Sequence, residues 1–320
     1  GKNVAMSQHG VYIGVLCERG SGKFLNGKFL TPPCLSQDLD LQLLYESGGI
    51  GFAIGFSRTL AKTNPSGAAG DVAIIGVVVD EATDRPLNTV SAMMPSVFAE
   101  LDFATPLVFI GGSGPSVGKT TTTAALLNAL AEDVICSAVK AAGTGCLEDS
   151  EAHLNNGAEY IVHSMDVGMP TTYIDPEIYG TVIREMLAYA ADPNLVPDGL
   201  RLRHHRGRAL AKPDIILAEL GGDLSEANIP VLLSDNELKK HVAVYIVCTE
   251  GASSLAGALQ ELEETGIRNS PQTPIYAAMP WGNVEGMYSR MKSFADRGLI
   301  AGIFDIAKPD FGDDQRAWRL

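Results

Sequence analysis

Cysteine is scarce in this 320-residue chain, basic residues are outnumbered by acidic ones, and no long apolar run occurs. The five cysteines, Cys17, Cys34, Cys136, Cys146 and Cys248, are odd in number, widely spaced and include no C-x-x-C pair. That pattern argues against a disulfide framework and against a zinc site, and reads as reduced cytoplasmic thiols. Against 38 Asp and Glu stand 24 Lys and Arg, a net charge of −14. A polyanion is repelled over most of such a surface, so nucleic acid is not an expected partner. No apolar run approaches the roughly 18 residues of a spanning helix, and residues 1–30 hold no signal-peptide pattern. No membrane partner is expected, and the sequence reads as that of a cytoplasmic protein acting on a small molecule.

What is present points to phosphate. The apolar run Leu107-Val108-Phe109-Ile110 leads to Gly112-Ser113-Gly114-Pro115-Ser116-Val117-Gly118-Lys119-Thr120, which runs directly into a helix-forming stretch. In a phosphate-binding loop, consecutive backbone N–H groups wrap a phosphate chain, a lysine reaches the terminal phosphates and a Ser or Thr hydroxyl ligates Mg²⁺. Gly112, Gly114 and Gly118 permit close backbone approach, Ser113, Ser116, Val117 and Thr121 complete the cradle, Lys119 neutralises charge and Thr120 is the hydroxyl for the metal. ATP and Mg²⁺ are therefore the expected cofactors. Counted from Gly112 the loop is GxxxxxGKT, one residue longer than the commonest form, which would need glycine at Ser113.

From about residue 106 onward, apolar runs alternate with amphipathic stretches, the rhythm of parallel βαβ units. Strands are predicted at 107–111, 134–139, 160–163, 214–219, 243–249 and 274–278. Helices are predicted at 119–131, 148–156, 177–191, 253–266 and 284–297, the first with Ala124, Leu127 and Leu130 on its packing face. The expected fold class is α/β, a doubly wound, mostly parallel P-loop NTPase sheet over residues 106–320. Residues 1–105 have a different texture, with apolar stretches at 11–16, 50–56 and 72–79 between glycine-rich turns, and a turn at 80–86. They are expected to form a smaller mixed or β-rich domain that packs on the nucleotide domain or makes an oligomer interface, with substrate binding as the further alternative.

Two further elements carry chemistry. Asp214-Ile215-Ile216-Leu217-Ala218-Glu219-Leu220-Gly221-Gly222 delivers a carboxylate at a strand end, where Glu219 could hold the nucleotide's Mg²⁺. In Ala138-Val139-Lys140-Ala141-Ala142-Gly143-Thr144-Gly145, Lys140 falls at the end of a neighbouring strand. The C-terminal ends of neighbouring strands share one crevice, so Lys140 could face the same phosphate as Lys119. Glu148, Asp149 and Glu151 follow, as a further metal ligand, a hold for a substrate amine, or a solvated helix start that suits acidic residues. The run 168–173 is a candidate substrate wall. Glu18-Arg19-Gly20-Ser21-Gly22-Lys23 imitates a phosphate loop but reads as a surface turn, and the basic run 201–208 reads first as a solvated loop. Its alternative is a mobile segment closing over phosphate or a substrate carboxylate.

In this order the three elements resemble dethiobiotin synthetase and its relatives among the P-loop ATPases. That family's loop, G-T-D-x-x-V-G-K-T, has the same extra residue and matches Gly112, Val117, Gly118, Lys119 and Thr120. Its K-P-x-x-S-G strand end is matched by Lys140, Thr144 and Gly145, with Ala141 in place of proline. The resemblance covers about residues 106–280 and implies catalytic roles for Lys119, Lys140 and Thr144. It also implies metal ligation by Thr120, Asp149 and Glu219, and pairing as a homodimer or higher homo-oligomer. Pro115-Ser116 depart from the family's polar and acidic loop positions, and residues 1–105 have no counterpart in its compact members. A group with an N-terminal domain fused to such an ATPase is closer in layout. The resemblance implies a ligase or small-molecule kinase acting on a carboxylate, carbamate or amine. The alternatives are a nucleotide-driven switch of the metal-insertion or partitioning type, a polynucleotide 5′-hydroxyl kinase and an acyltransferase descendant.

Overall fold

Two sheets organise the residues that the computed structural model describes, namely 10–20, 25–28, 39–45, 48–56, 70–87, 89, 104–143, 147–196, 203–204, 210–279 and 285–305. The first sheet contains β1 (Val15–Leu16), β2 (Arg19–Gly20), β3 (Leu25–Lys28), β4 (Leu41–Tyr45), β5 (Gly49–Phe56) and β6 (Asp71–Val72). Their order is β2-β3-β5-β4-β6, antiparallel throughout, with β1 pairing parallel to β5. Among the described residues Cys17, Leu44 and Tyr45 are buried together at its centre, with Ala53 packed against them. The apolar stretches at 11–16 and 72–79 are only marginally in strands: Val11, Ile13, Ile75 and Val77 are exposed, and beyond β6 the second makes a single bridge, Val79 to Pro86. Asp80 closes the expected turn there by accepting from the backbone N–H groups of Ala82 and Thr83.

The second sheet holds β7 (Leu107–Gly112), β8 (Cys136–Ala142), β9 (Tyr160–His163), β10 (Arg203–His204), β11 (Ile215–Leu220), β12 (Val242–Cys248), β13 (Ile275–Met279) and β14 (Gly302–Asp305). Its order is β10-β9-β8-β11-β7-β12-β13-β14. Every neighbouring pair is parallel except β10 with β9. β7, β8, β9 and β11 are buried along their whole length, as a sheet covered on both faces requires. Alternation along β7 divides two cores: Leu107 and Phe109 join the larger one, Val108 and Ile110 the smaller one on the opposite face.

The helices are α1 (Lys119–Leu130), α2 (Leu147–Asn155), α3 (Pro176–Ala191), α4 (Ile229–Ser234), α5 (Asn236–Lys239), α6 (Ala252–Glu264) and α7 (Glu285–Asp296). All five predicted helices are present within two residues. The short α4 and α5, the edge strand β10 and the final β14 were not predicted, because two to six residues carry too little periodicity to read. The packing face of α1 also differs from the expected one: Thr122, Thr123, Leu126 and Leu127 are buried, whereas Ala124 and Leu130 are only half-buried. Thr122 and Thr123 can point inward because their hydroxyls donate back to the carbonyls of Gly118 and Lys119. α3 starts at an N-cap, with Asp175 accepting from the N–H groups of Glu177 and Ile178 and Pro176 in the first turn. Its Tyr179 hydroxyl donates to the carbonyl of Ala141, and the carbonyl of Ala190 accepts from Ser137 and Tyr160.

The described cysteines Cys17, Cys136 and Cys248 are free and buried. Among the described residues no helix is long and apolar enough to cross a membrane. Leu127 is fully buried between α1 and the sheet, so Leu127→Ala is expected to lower the unfolding free energy by about 2–5 kcal/mol. Urea denaturation measures this, and a loss below about 1 kcal/mol would contradict the packing of α1.

Candidate functional site

The site is built at the C-terminal ends of the central strands. β7 runs straight into the glycine-rich loop, and α1 begins at Lys119, the loop's lysine. Gly118 has φ of 93°, a left-handed conformation that side chains rarely adopt, directly before the helix. A Cβ on Gly112 would lie 2.5 Å from Val117 Cγ2 and 3.1 Å from the carbonyl oxygen of Cys248, so no side chain fits there. Ser116 is also left-handed, at φ 59°. Val117 is buried beneath the loop, Ser113 bridges to Asp223, and Gly114 is open.

Lys119 lies across the loop. Its Nζ donates to the carbonyl of Gly114 at 2.7 Å and to that of Gly222, after β11, at 2.6 Å. Burial, followed by the neighbouring Lys140 charge, pulls this ammonium down to about 8. Both effects are relieved by an anion delivered to the loop.

Strand register assembles the rest. Glu219 on β11 sits beside Lys140 on β8 and beside Ile110 on β7. Lys140 Nζ meets Glu219 Oε1 at 2.5 Å and Asp149 Oδ2 at 2.7 Å. Thr120, at the start of α1, donates to Glu219 Oε1 at 2.9 Å and contacts Asp149 Oδ1 at 3.1 Å. Glu219 is 1% exposed and Lys140 6%. Burial works against both charges, but Lys140 and His153 together hold the Glu219 carboxyl well below the usual range. Glu219 and Asp149 in turn hold the Lys140 ammonium above its usual value. The sequence reading ended this strand at 139. The strand runs on to Ala142, so Lys140 is a buried strand residue and not a loop lysine.

Of Glu148, Asp149 and Glu151, only Asp149 makes contact with Thr120 and Lys140; Glu148 is exposed. Thr121 is exposed on α1, and no hydrogen bond links it to the loop. Thr144, Gly145 and Cys146 lie outside the described residues. One member of the cluster was missed: fully buried His153, whose Nε2 is 2.9 Å from Glu219 Oε2. A signal for it existed. Asp149 and His153 are four apart in a predicted helix, which puts both on one face.

The run 168–173 is not a bare substrate wall. Met169, Thr171 and Thr172 are buried. Thr172 Oγ1 accepts from the N–H of Gly143 at 2.8 Å, and Thr171 Oγ1 accepts from the N–H of Tyr173 at 3.2 Å. The hydroxyl of Tyr173 donates to the carbonyl of Gly20 and lies 3.4 Å from Glu226 Oε2. Tyr45 similarly donates to the carbonyl of Pro170 at 2.8 Å. The first sheet is thereby fastened next to the phosphate loop, and Arg19 and Gly20 of the supposed surface turn form β2. Ser21 to Lys23 lie outside the described residues. So does most of the basic run 201–208, of which Arg203 and His204 form β10 rather than solvated loop.

The donor set suits a hard cation. One hydroxyl and two carboxylates, from α1, α2 and β11, meet within hydrogen-bond distance, an oxygen-only set of the kind Mg²⁺ takes alongside water and phosphate. Among the described residues no three or more His, Cys, Asp or Glu side chains form a group that could hold a metal ion, so Thr120 would have to join the two carboxylates.

No family model matches the chain, and no curated protein matches it. Solved structures with partial likeness include a ParA family ATPase from Chlorobium tepidum TLS, 13% identical, covering 63% of this chain and 85% of that one, with a TM-score of 0.36. A plasmid partition protein from Borrelia burgdorferi is 10% identical over 63% of this chain and 90% of that one, TM-score 0.38. Cobyrinic acid a,c-diamide synthase from Mycobacterium smegmatis, with bound ATP analogue and magnesium, is 15% identical over 62% and 84%, TM-score 0.38. TM-scores below 0.5 assign neither family nor activity, and the P-loop α/β fold stands on this chain's own loop and strand order.

Lys140→Met leaves the buried Glu219 without its nearest cation, so stability is expected to fall by about 3–5 kcal/mol in urea denaturation. Adding Glu219→Gln removes the stranded charge and is expected to recover most of that loss. A double variant no more stable than the single one would contradict the pairing.

Proposed function

We propose that this chain is an ATP- and Mg²⁺-dependent enzyme that activates a small molecule by phosphoryl transfer, as a ligase or kinase of the dethiobiotin-synthetase type. The observation that carries this reading is the convergence of Lys119, Thr120, Lys140, Asp149 and Glu219 from four segments, α1, β8, α2 and β11, onto one end of the sheet. A glycine-rich loop alone would support only phosphate binding. The added buried lysine and two carboxylates support chemistry on a terminal phosphate, where positioning and charge neutralisation dominate.

The loop's N–H groups and the α1 N-terminus would bind the phosphate chain. Lys119, now resting on two carbonyls, would exchange them for phosphate oxygens. Thr120, Asp149 and Glu219 would hold Mg²⁺, which when bound supplies neutralisation of charge on the terminal phosphates. Lys140, which pairs with Asp149 and Glu219, would stabilise charge on the transferring group through its ammonium. His153 keeps the Glu219 carboxylate oriented throughout. Against the switch reading stands the loop itself: a partner-reaching lysine is usual early in loops of that type, and the corresponding position is Gly114.

Lys119→Ala is expected to abolish Mg-ATP binding in calorimetry, and unchanged affinity would refute the reading. Lys140→Ala is expected to retain ATP affinity while turnover collapses in a screen of small carboxylates, amines and amino acids for stimulated ADP release. Stimulation by a protein partner alone, with a flat response across that panel, would favour the switch.

A further inference from the structure

A groove of about 510 Å³ runs between α3 and α4 and shares no residue with the phosphate loop. Glu185 of α3 lines it. That residue is only 4% exposed, and its Oε2 has no hydrogen-bond partner. Burial pushes the carboxyl up to about 7. A carboxylate so placed requires either a proton or a cation.

Among the described residues none supplies that cation. Arg184, the one basic residue in the lining, is committed elsewhere: its Nε and Nη2 both donate to Asp235 Oδ2, at 2.8 and 2.5 Å. Tyr189, one turn along α3, does not serve Glu185 either, since its own buried hydroxyl has no partner. Once Arg184 and Asp235 neutralise each other, the lining keeps two acidic groups, Glu185 and the exposed Glu177, and an anion is disfavoured. Pro176, Gly180 and Val231 supply an apolar wall.

Gly180 adds an independent observation. It sits inside α3, where glycine weakens a helix relative to alanine. A Cβ at this position would meet Val231 Cγ1 at 3.7 Å, an ordinary contact, so packing does not demand glycine. A larger side chain would instead fill the groove. The volume falls in the range of small-molecule sites.

We propose that this groove binds a small organic cation, a primary amine on an apolar body, with the ammonium at Glu185 and the body against Pro176, Gly180 and Val231. The site is separate from the phosphate loop, and its occupancy does not depend on the reading of that loop. The test titrates the whole protein with n-butylammonium, cyclohexylammonium and phenethylammonium, and with the carboxylates of matching shape, by calorimetry and thermal shift. At least one amine is expected to bind at millimolar concentration and raise Tm, and the matched carboxylates are not. Glu185→Gln, a neutral isostere that removes no packing, is expected to weaken amine binding at least tenfold while the ligand-free protein still unfolds cooperatively. Gly180→Leu is expected to block binding by filling the groove. Binding of none of the three amines, equal binding of the carboxylates, or undiminished binding by both variants would overturn the proposal.

Discussion

The carboxylate of Glu219 is the constraint around which the second sheet is arranged. It is buried on a central strand, and its two oxygens are shared among groups from α1, β8 and α2: Thr120 and Lys140 on Oε1, His153 on Oε2. An isolated ionised carboxylate in that position would be prohibitively costly. Each partner lies on a different segment, so correct strand register is a condition for satisfying the charge. A one-residue slip of β11 against β8 would turn Glu219 to the opposite face from Lys140 and leave both charges stranded. The polar cluster thus enforces one register on strands whose apolar residues, buried on both faces, would tolerate several.

The same dependence explains how much could be read in the sequence. The loop from Gly112 to Thr120 is legible because its chemistry is local: a strand, glycines at fixed offsets and a lysine before a hydroxyl. The longer strands and helices are legible through their periodicity. Lys140 and Glu219 could be suspected from their places at strand ends, but not their contact, which requires β11 to lie beside β8. His153 could be placed on the face of Asp149 by its spacing, but its contact with Glu219 requires α2 to pack beside β11. On α1 the expected Leu127 is buried and Leu130 packs against the core, but Thr122 and Thr123 share the buried face because hydroxyls that bond their own helix can be buried.

In the first sheet, apolar composition was a poor guide to burial, because a sheet with so small a core leaves many such residues outside. Its attachment is polar instead. Tyr45 and Tyr173 each donate to a backbone carbonyl across the boundary between the two sheets. Because Tyr173 also lies near Glu226, which precedes α4, the strand-end loops and the first sheet share one set of contacts. Substitutions in the first sheet can therefore reach the site through the 168–173 run without touching the phosphate loop.

The order β8-β11-β7 has a consequence for how the chain becomes folded. After β7 the polypeptide skips a place, lays down β8 and β9, and only later returns β11 to the gap between β7 and β8. Until that strand inserts, the two flanking strands present unpaired edges toward each other, and Lys140 lacks Glu219, 79 positions further along. Long-range parallel pairing of this kind is slow, and open edges are the part of a half-folded chain most prone to recruit another copy. Placement of β11 fills the gap between β7 and β8 and brings Glu219 to Lys140, so the cluster that equips the site for phosphate depends on a contact between distant parts of the chain.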